Sequence, residues 1–294
     1  MKKILIFTMS AIQSQFEADR VEEEAKKRGI KVDRRYYRDL RFVMEEGISK
    51  VFVGNDEITG EKYMGIWFRV AGTISGKYVE GRNMLIRLKE KEMRCINGEG
   101  YLKWPRMGKI SQHGVFVEND IPVIPTKIFY TKEQVLDEEF NYPLIAKHER
   151  GYQGRSVKKF ENREELERFV NKINEKNIGM FLWQKYLPLK WDLRVIVIGG
   201  RAIGGMKRMA SGGEFRSNFS LGGEVEEWKL SEEERNLAEK VARVCGLDYG
   251  GVDIMKDEKE RNYVLEVNRA CQFRGFEKAT DINVAKKVIE LLYF

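Results

Sequence analysis

Short apolar runs and helical periodicities follow one another along the chain in the order strand, helix, strand. Residues 3–7 are an apolar strand, 16–28 carry apolar positions at helical spacing up to a stop at Gly29, and 30–37 are extended again. A second buried strand at 64–70 (MGIWFRV) and an amphipathic helix at 79–91 complete a small α/β unit with a parallel sheet over residues 1–94. No G-x-G-x-x-G follows the first strand, so nothing assigns a dinucleotide to this unit. Arg69 ends the 64–70 strand, where it either faces a ligand at the sheet's carboxyl edge or is solvated.

The pattern then changes character. Residues 98–109 are basic and turn-rich, 110–119 read as a helix, and the proline-punctuated stretch 121–126 is extended. Residues 142–147 (YPLIAK) form a strand ending on Lys147, followed by the glycine-containing turn 151–156 (GYQGRS) and a strand at 157–160. A lysine beside such a turn suits phosphate, because backbone N–H groups approach oxygens closely and the ammonium adds charge; an ordinary hairpin turn would look the same. The helix 164–175 is polar on one face, with Leu166, Phe169, Val170 and Ile173 on the other. At 180–187 an apolar strand is interrupted by Gln184 and Lys185; such a segment can wall an adenine, while Phe181 and Trp183 belong to the core.

Strands 192–199 and 202–210 make a hairpin through Gly199, Gly200 and Arg201, with Asp192, Arg194, Lys207 and Arg208 as inward-looking charges. In the glycine-bounded loop 213–223, Arg216 and Asn218 can contact an anion. Ser231 to Glu234 reads as a capping box opening a helix that runs to about Cys245. Two further strands, 251–255 and 263–267, flank the charged turn 256–261, and a closing helix spans 281–292. The acids sit inside these two strands: Asp253 interrupts the first, and Glu266 and Asn268, two apart at the end of the second, share a face. Three oxygen donors on one side of a hairpin suit a hard cation such as Mg²⁺, although a solvent-facing strand would also carry acids.

Composition narrows the class. A chain of 294 residues that is 42% hydrophobic can bury a large core and divides into two or three domains. The net charge of +7 permits an anionic partner, but its basic residues are interspersed with acids. Cys95, Cys245 and Cys271 are far apart and fit neither a zinc site nor a disulfide framework, which favours a reducing compartment and leaves Cys271 as a candidate thiol. No run is long enough to cross a bilayer, so a soluble, cytoplasmic protein without a membrane partner is expected. His113 and His148 have no evident acid–base partner and read as surface or structural residues.

Taken together, Lys147, GYQGRS, WQKYL (183–187), DLRVIVIGG (192–200), MKRMASGGEFRSN (206–218), GGVDIM (250–255) and LEVN (265–268) resemble the ATP-grasp carboxylate-amine ligases. The similarity is nearest to the RimK-type glutamate ligases and runs from about Lys109 to the C-terminus. It implies an α/β and α+β fold of three domains: 1–94, a parallel-sheet α/β domain, then 95–186 and 187–294, which clasp ATP between them. It further implies that Lys109 and Lys147 contact phosphates, with Lys207 also among the nucleotide contacts. The turn with Gly151, Gly154 and Ser156 would cover the phosphates, Gln184, Lys185, Tyr186 and Leu187 would hold adenine, and Asp192 would lie near the ribose. Arg208, Arg216 and Asn218 would be catalytic, touching the transferring phosphate and the substrate carboxylate. Asp253, Glu266 and Asn268 would bind two Mg²⁺ or Mn²⁺ ions.

The chain departs from the family pattern in four places, one of them a shorter stretch before Asp192. Lys185 stands where a glutamate is usual, Ser156 replaces a glycine, and NRACQFRGFE replaces Asn-x-Ser-Pro-Gly, which puts Arg269, Gln272 and Arg274 beside the acceptor site. The implied reaction has two steps: a carboxylate attacks the γ-phosphate of ATP to give an acylphosphate and ADP, and an amine then displaces phosphate to form an amide. The resemblance points to glutamate or a similar amino acid as the carboxylate, and to an amine, a peptide or an acidic carrier protein as acceptor, on a chain that can self-associate. The alternatives are a ligase of the same fold acting on a non-amino-acid carboxylate, and a nucleotide-responsive RNA- or protein-binding module. The latter lacks any recognisable nucleic-acid module, so nucleic acid is not an expected partner.

Overall fold

The chain opens as the periodicity predicts, with β1 (Lys3–Thr8), α1 (Gln15–Lys27) and β2 (Val32–Tyr36). In this computed structural model the described residues are 2–9, 15–69, 76–149, 157–188, 191–209 and 224–293. Between β2 and the next core strand lies an antiparallel meander absent from the pattern reading: β3 (Leu40–Glu45), β4 (Ile48–Val53) and β5 (Asp56–Glu57). Its links turn at Gly47 and Gly54, whose φ of 72° and 60° favour glycine. Then come β6 (Tyr63–Phe68), α2 (Gly76–Lys89) and β7 (Arg94–Cys95). The sheet order is β2-β1-β6-β7 with every pair parallel.

Arg69, just past β6, is neither solvated nor turned to a ligand. It is fully buried, donating from Nη1 to the Cys271 carbonyl (3.2 Å) and from Nη2 to Glu17 (3.3 Å). The cause is a long-range contact: one hydrophobic core joins Ile4, Ile6, α1 and Trp67 to Ile196, Ile198, Tyr249 and Phe273 from the far end of the chain. The expected closing helix, 281–292, is present and begins at Val284 (Val284–Tyr293), and an additional short helix, Arg274–Thr280, precedes it and ends where Asp281 adopts a left-handed φ of 53°.

The middle of the chain supplies α3 (Gly98–Lys103), α4 (Lys109–Glu118), β8 (Thr126–Lys127), α5 (Lys132–Asp137), β9 (Leu144–His148), β10 (Val157–Phe160), α6 (Arg163–Lys172) and β11 (Phe181–Lys185). The stretch expected to be turn-rich therefore contains the short α3. Strands β10-β9-β11-β8 form an antiparallel sheet, in which Lys147 lies opposite Leu182 and Ile145 opposite Gln184. Leu144, Ala146, Phe160 and Trp183 pack on Val135 of α5 and on Leu166 and Val170 of α6. Strand alternation leaves Ile145, Lys147, Leu182 and Gln184 on the opposite face, away from the helices.

The last sheet comprises β12 (Trp191–Ile198), β13 (Arg201–Met209), β14 (Glu224–Trp228), β15 (Tyr249–Lys256) and β16 (Asn262–Asn268), in the antiparallel order β14-β13-β12-β15-β16. Between β14 and β15 runs α7 (Glu232–Val244), capped by Ser231 and Glu234 as the sequence predicts. After β16 come α8 (Arg274–Thr280) and α9 (Val284–Tyr293). On β12, Leu193, Val195 and Val197 face α7, while Ile196 and Ile198 point into the core shared with the N-terminal sheet. Further along this second face, the apolar residues give way to Arg194 and Asp192. No helix of the described residues is long and apolar enough to cross a membrane.

Candidate active site

The register of the last sheet assembles a charged row. Arg208 lies opposite Asp192, Arg194 opposite Asp253, and Asp253 opposite Glu266, with Asn268 opposite Gly251 one row on. Residues directly opposite in an antiparallel pair share a face, so this register gathers the three expected metal-binding side chains on one surface.

Two aspartates and two arginines balance charge there. Arg208 donates from Nε and Nη2 to the two Asp192 oxygens (2.5 and 2.8 Å) and from Nη2 to Asp253 (2.9 Å); Arg194 grips Asp253 through Nε and Nη2 (2.8 and 2.7 Å). Burial alone would favour a neutral Asp253, but Arg194 and Arg208 outweigh it and hold the carboxyl at about 2. The same pairing raises Arg208 further above its ordinary value, against the opposing effect of burial. Asp192, expected near a ribose, turns both oxygens to Arg208. Fork-to-fork pairing of this kind fixes orientation as well as charge.

Glu266 is less enclosed. It accepts from Asn268 Nδ2 (3.0 Å) and pairs with Lys109 Nζ (3.0 Å), so the Asn268 amide leaves Oδ1 as its ligating atom. Lys109 is the first residue of α4, whose N-terminus is pinned from the central sheet: Glu149, just past β9, accepts from Ile110 N–H at 2.7 Å. A side chain at Gly108 would meet the Glu149 carboxylate, which would have to swing aside and give up its bond to Ile110. Deep in the cleft, Lys147 is pushed down to about 8, chiefly by burial and then by Lys109, with Glu266, Asp192 and Asp253 pulling the other way. The central sheet brings Lys147, α4 brings Lys109 and the last sheet brings the carboxylates to one place. Among the described residues no group of three or more His, Cys, Asp or Glu could hold a metal ion, and Asp253, Glu266 and Asn268 offer two carboxylates and an amide. Such a set suits a hard cation whose remaining ligands come from phosphate oxygens.

The central sheet's open face carries a second feature. His113 Nδ1 is 2.9 Å from the Lys109 carbonyl, which can only accept, so Nδ1 bears the proton and Nε2 accepts from Gln184 Nε2 at 2.9 Å. Burial lowers the His113 pKa, in keeping with that neutral ring. Gln184 Nε2 also donates to Thr126 Oγ1 (2.8 Å), whose own hydrogen goes to the Ile124 carbonyl (2.7 Å). Both neighbours demand the amide nitrogen, which leaves Gln184 Oε1 buried without a partner among the described residues. An acceptor held out in this way fits the amino group of a purine. Beside it, Leu187 is buried, Lys185 is exposed, and Tyr186 lies under Lys159 Nζ at 4.3 Å.

Not every expected residue comes to this place. Lys207 follows the alternation to the opposite face from Arg208, where it pairs with Glu226 (2.8 Å) over the rings of Trp191 and Trp228. Gly151, Gly154, Ser156, Arg216 and Asn218 lie outside the described residues. Arg269 turns to the carbonyls of Gly100 and Trp104, Arg274 lies over Phe16, and Gln272 is exposed. Cys271 is no candidate nucleophile: it is buried, its thiol is pushed up by burial, and it donates to Tyr249 Oη. The reading from sequence left Arg194 and Glu149 without a role and set His113 apart from the site. The alternation of Asp192 and Arg194 was the only signal for Arg194; the other two depend on contacts between distant segments.

Residues 107–292 match the family model for a RimK-like ATP-grasp domain. Over 160 residues the chain is 37% identical to a probable alpha-L-glutamate ligase 1 of Shewanella frigidimarina, covering 54% of this chain and 52% of that protein. The chain spans about half the length of the curated relatives it matches. The ATP-grasp ligase PsnB, solved with a phosphomimetic variant of its minimal precursor, Mg and ADP, shares the fold over 99% of this chain and 98% of its own, with a TM-score of 0.73 and 18% identity. A RiPP-associated ATP-grasp ligase of Chryseobacterium gregarium, solved with ADP and a leader and core peptide, has the same TM-score and identity, covering 99% of this chain and 96% of that one.

Proposed function

The chain belongs to the RimK-like ATP-grasp family, and from that premise we propose that it is an ADP-forming carbon–nitrogen ligase. Its substrates are ATP, the carboxylate of glutamate or a similar amino acid, and an amine or peptide acceptor. The observation that carries the reading is the convergence of Asp253, Glu266 and Asn268 with Arg208, Lys109 and Lys147 in one cleft between two sheets. In this reading residues 95–186 and 187–294 are the two halves that close on the nucleotide. Adenine lies against the Gln184 to Leu187 strand, where the unpaired Gln184 oxygen accepts its amino group.

Asp253, Glu266 and Asn268 fit Mg²⁺ or Mn²⁺, which when bound would neutralise the phosphate oxygens. Lys147 and Lys109 bring positive charge to the phosphates, and Lys109 exchanges Glu266 for a phosphate oxygen. Arg208, held flat by Asp192, is placed to steady the incoming carboxylate while its oxygen bonds to the γ-phosphorus and ADP leaves. The acylphosphate carries a good leaving group, so the acceptor amine attacks its carbonyl carbon and phosphate departs with the carboxylate's former oxygen. Such catalysis is mainly positioning and charge stabilisation. Gly151, Gly154, Ser156, Arg216 and Asn218 complete the proposed site by family resemblance.

The test is a screen of single amino acids with ATP, Mg²⁺ and hydroxylamine, reading ADP and hydroxamate together. Hydroxamate that depends on one amino acid supports a ligase. A flat response across all amino acids, acidic and neutral, contradicts it.

A further inference from the structure

Arginines enclosed by this protein fall into two groups. Arg69 has Glu17, Arg194 has Asp253, and Arg208 has Asp192 and Asp253. Among the described residues Arg82 and Arg269 hydrogen-bond only to neutral acceptors. The Arg82 side chain on α2 is fully buried, donating to Asn83 Oδ1 (3.2 and 3.1 Å) and to the Pro105 carbonyl (3.0 Å). Arg269 donates to the carbonyls of Gly100 (3.2 Å), Trp104 (2.5 Å) and Pro105 (3.5 Å). Both guanidiniums lie over the ring of Tyr101, at 3.8 and 4.7 Å from its centroid.

Burial lowers Arg82 and pushes Arg269 down to about 10; Glu80 pulls Arg82 the other way without offsetting burial, and neither guanidinium is in an ion pair among the described residues. Two donors remain buried without partners among the described residues, Arg82 Nη1 and the hydroxyl of the fully buried Tyr101. Enclosed charge without a counter-charge is costly, and natural structures rarely keep it without a use. At the surface of the same corner, Lys103 and Arg106 are exposed, with Arg106 lying against Gly76. The charge therefore extends from solvent inward.

We propose that Arg82, Arg269 and the Tyr101 hydroxyl form a subsite for a substrate carboxylate, between α2, α3 and the segment that follows Asn268. A carboxylate is the planar anion that matches a guanidinium fork. It is not the carboxylate that reacts: Arg269 follows the end of β16 and donates to the Gly100 and Trp104 carbonyls, and Arg82 to that of Pro105, whereas Arg208 and Lys109 pair with the acids of the last sheet. The substrate therefore carries at least one further carboxylate, as a dicarboxylic amino acid or an acidic acceptor does. This inference rests on the ligase reading for its substrate, but not for its binding test.

The test follows thermal unfolding of the nucleotide-free full chain against glutarate, L-glutamate, their neutral counterpart glutaramide, and inorganic phosphate at matched ionic strength. Glutarate and L-glutamate should raise the midpoint and glutaramide should not. Tyr101→Phe keeps the ring under both arginines and removes only the free hydroxyl; it should weaken the carboxylate response about tenfold. Arg82→Gln should abolish the response. A wild-type protein indifferent to both carboxylates, an equal response to glutaramide, a stronger one to phosphate, or an unchanged response in Tyr101→Phe would each overturn the proposal. Titration with ATP and Mg²⁺ separates the two claims. A carboxylate response without nucleotide binding sinks the ligase reading alone, and nucleotide binding with an unaltered Tyr101→Phe response sinks the subsite alone.

Discussion

Asp253 and Glu266 stand opposite each other on adjacent strands, yet removing their charges should have unlike consequences. Asp253 is 3% exposed and accepts three charged hydrogen bonds, from Arg194 and Arg208. In Asp253→Asn, Arg208 keeps Asp192, but Arg194 loses the only carboxylate with which it is paired among the described residues. Breaking a buried pair from one side costs about 3–5 kcal/mol, a fall of roughly 10 °C in Tm for a chain of this size. Glu266 is 27% exposed and pairs with Lys109, so Glu266→Gln loses under about 1 kcal/mol once solvent screening is allowed for. Both variants should lose amino-acid-dependent ADP formation by about 100-fold or more, since each removes a charge aimed at the transferring phosphoryl group. Thermal unfolding and the ADP assay on the same preparations separate stability from chemistry. An Asp253→Asn protein as stable as wild type would refute the charge-balance argument, and a Glu266→Gln protein within a few-fold of wild-type turnover would refute the site.

Three further outcomes follow from the geometry. Lys147 has a folded pKa of about 8 against an ordinary 10.5. Between those values the unfolded chain binds the proton that the folded one has released, so this group's destabilising effect is full below pH 8 and fades as pH rises to about 10.5. Phosphate needs the charged form, so ATP affinity should fall above pH 8 with proton uptake; calorimetry in two buffers of different ionisation enthalpy reads it, and Lys147→Arg should abolish it. Lys207→Ala should leave the KM for ATP within twofold and cost under about 1 kcal/mol by denaturation, because its partner Glu226 lies on the other face of the sheet. Arg69→Met, which strands the buried Glu17, should lower Tm by about 10 °C in a melting experiment; a shift under 2 °C would mean the contact between the two ends of the chain matters little.

The acids of the last hairpin were legible because a charge inside an apolar strand breaks a period of two, and the same period puts Glu266 and Asn268 on one side. Lys147 was legible as the polar end of a buried strand. The meander of β3 to β5 was not, since its residues are largely half-exposed and carry little apolar contrast. Nor could the sequence decide between Lys207 and Arg208. Adjacent residues on a strand must point to opposite faces, and only the pairing of Arg208 with Asp192 settles which one meets the acids. Arg69 shows the limit most clearly, because its partners Glu17 and Cys271 lie 52 and 202 residues away. Local periodicity carries no information about such contacts.

The central claim is that a carboxylate oxygen of the substrate bonds to the γ-phosphorus of ATP in this cleft. It is tested by supplying the amino acid selected in the hydroxylamine screen with ¹⁸O in its carboxyl group, together with ATP, Mg²⁺ and an amine. Mass spectrometry of the released phosphate should find one ¹⁸O atom per molecule of amide formed. Unlabelled phosphate, or label recovered in AMP, would contradict the account.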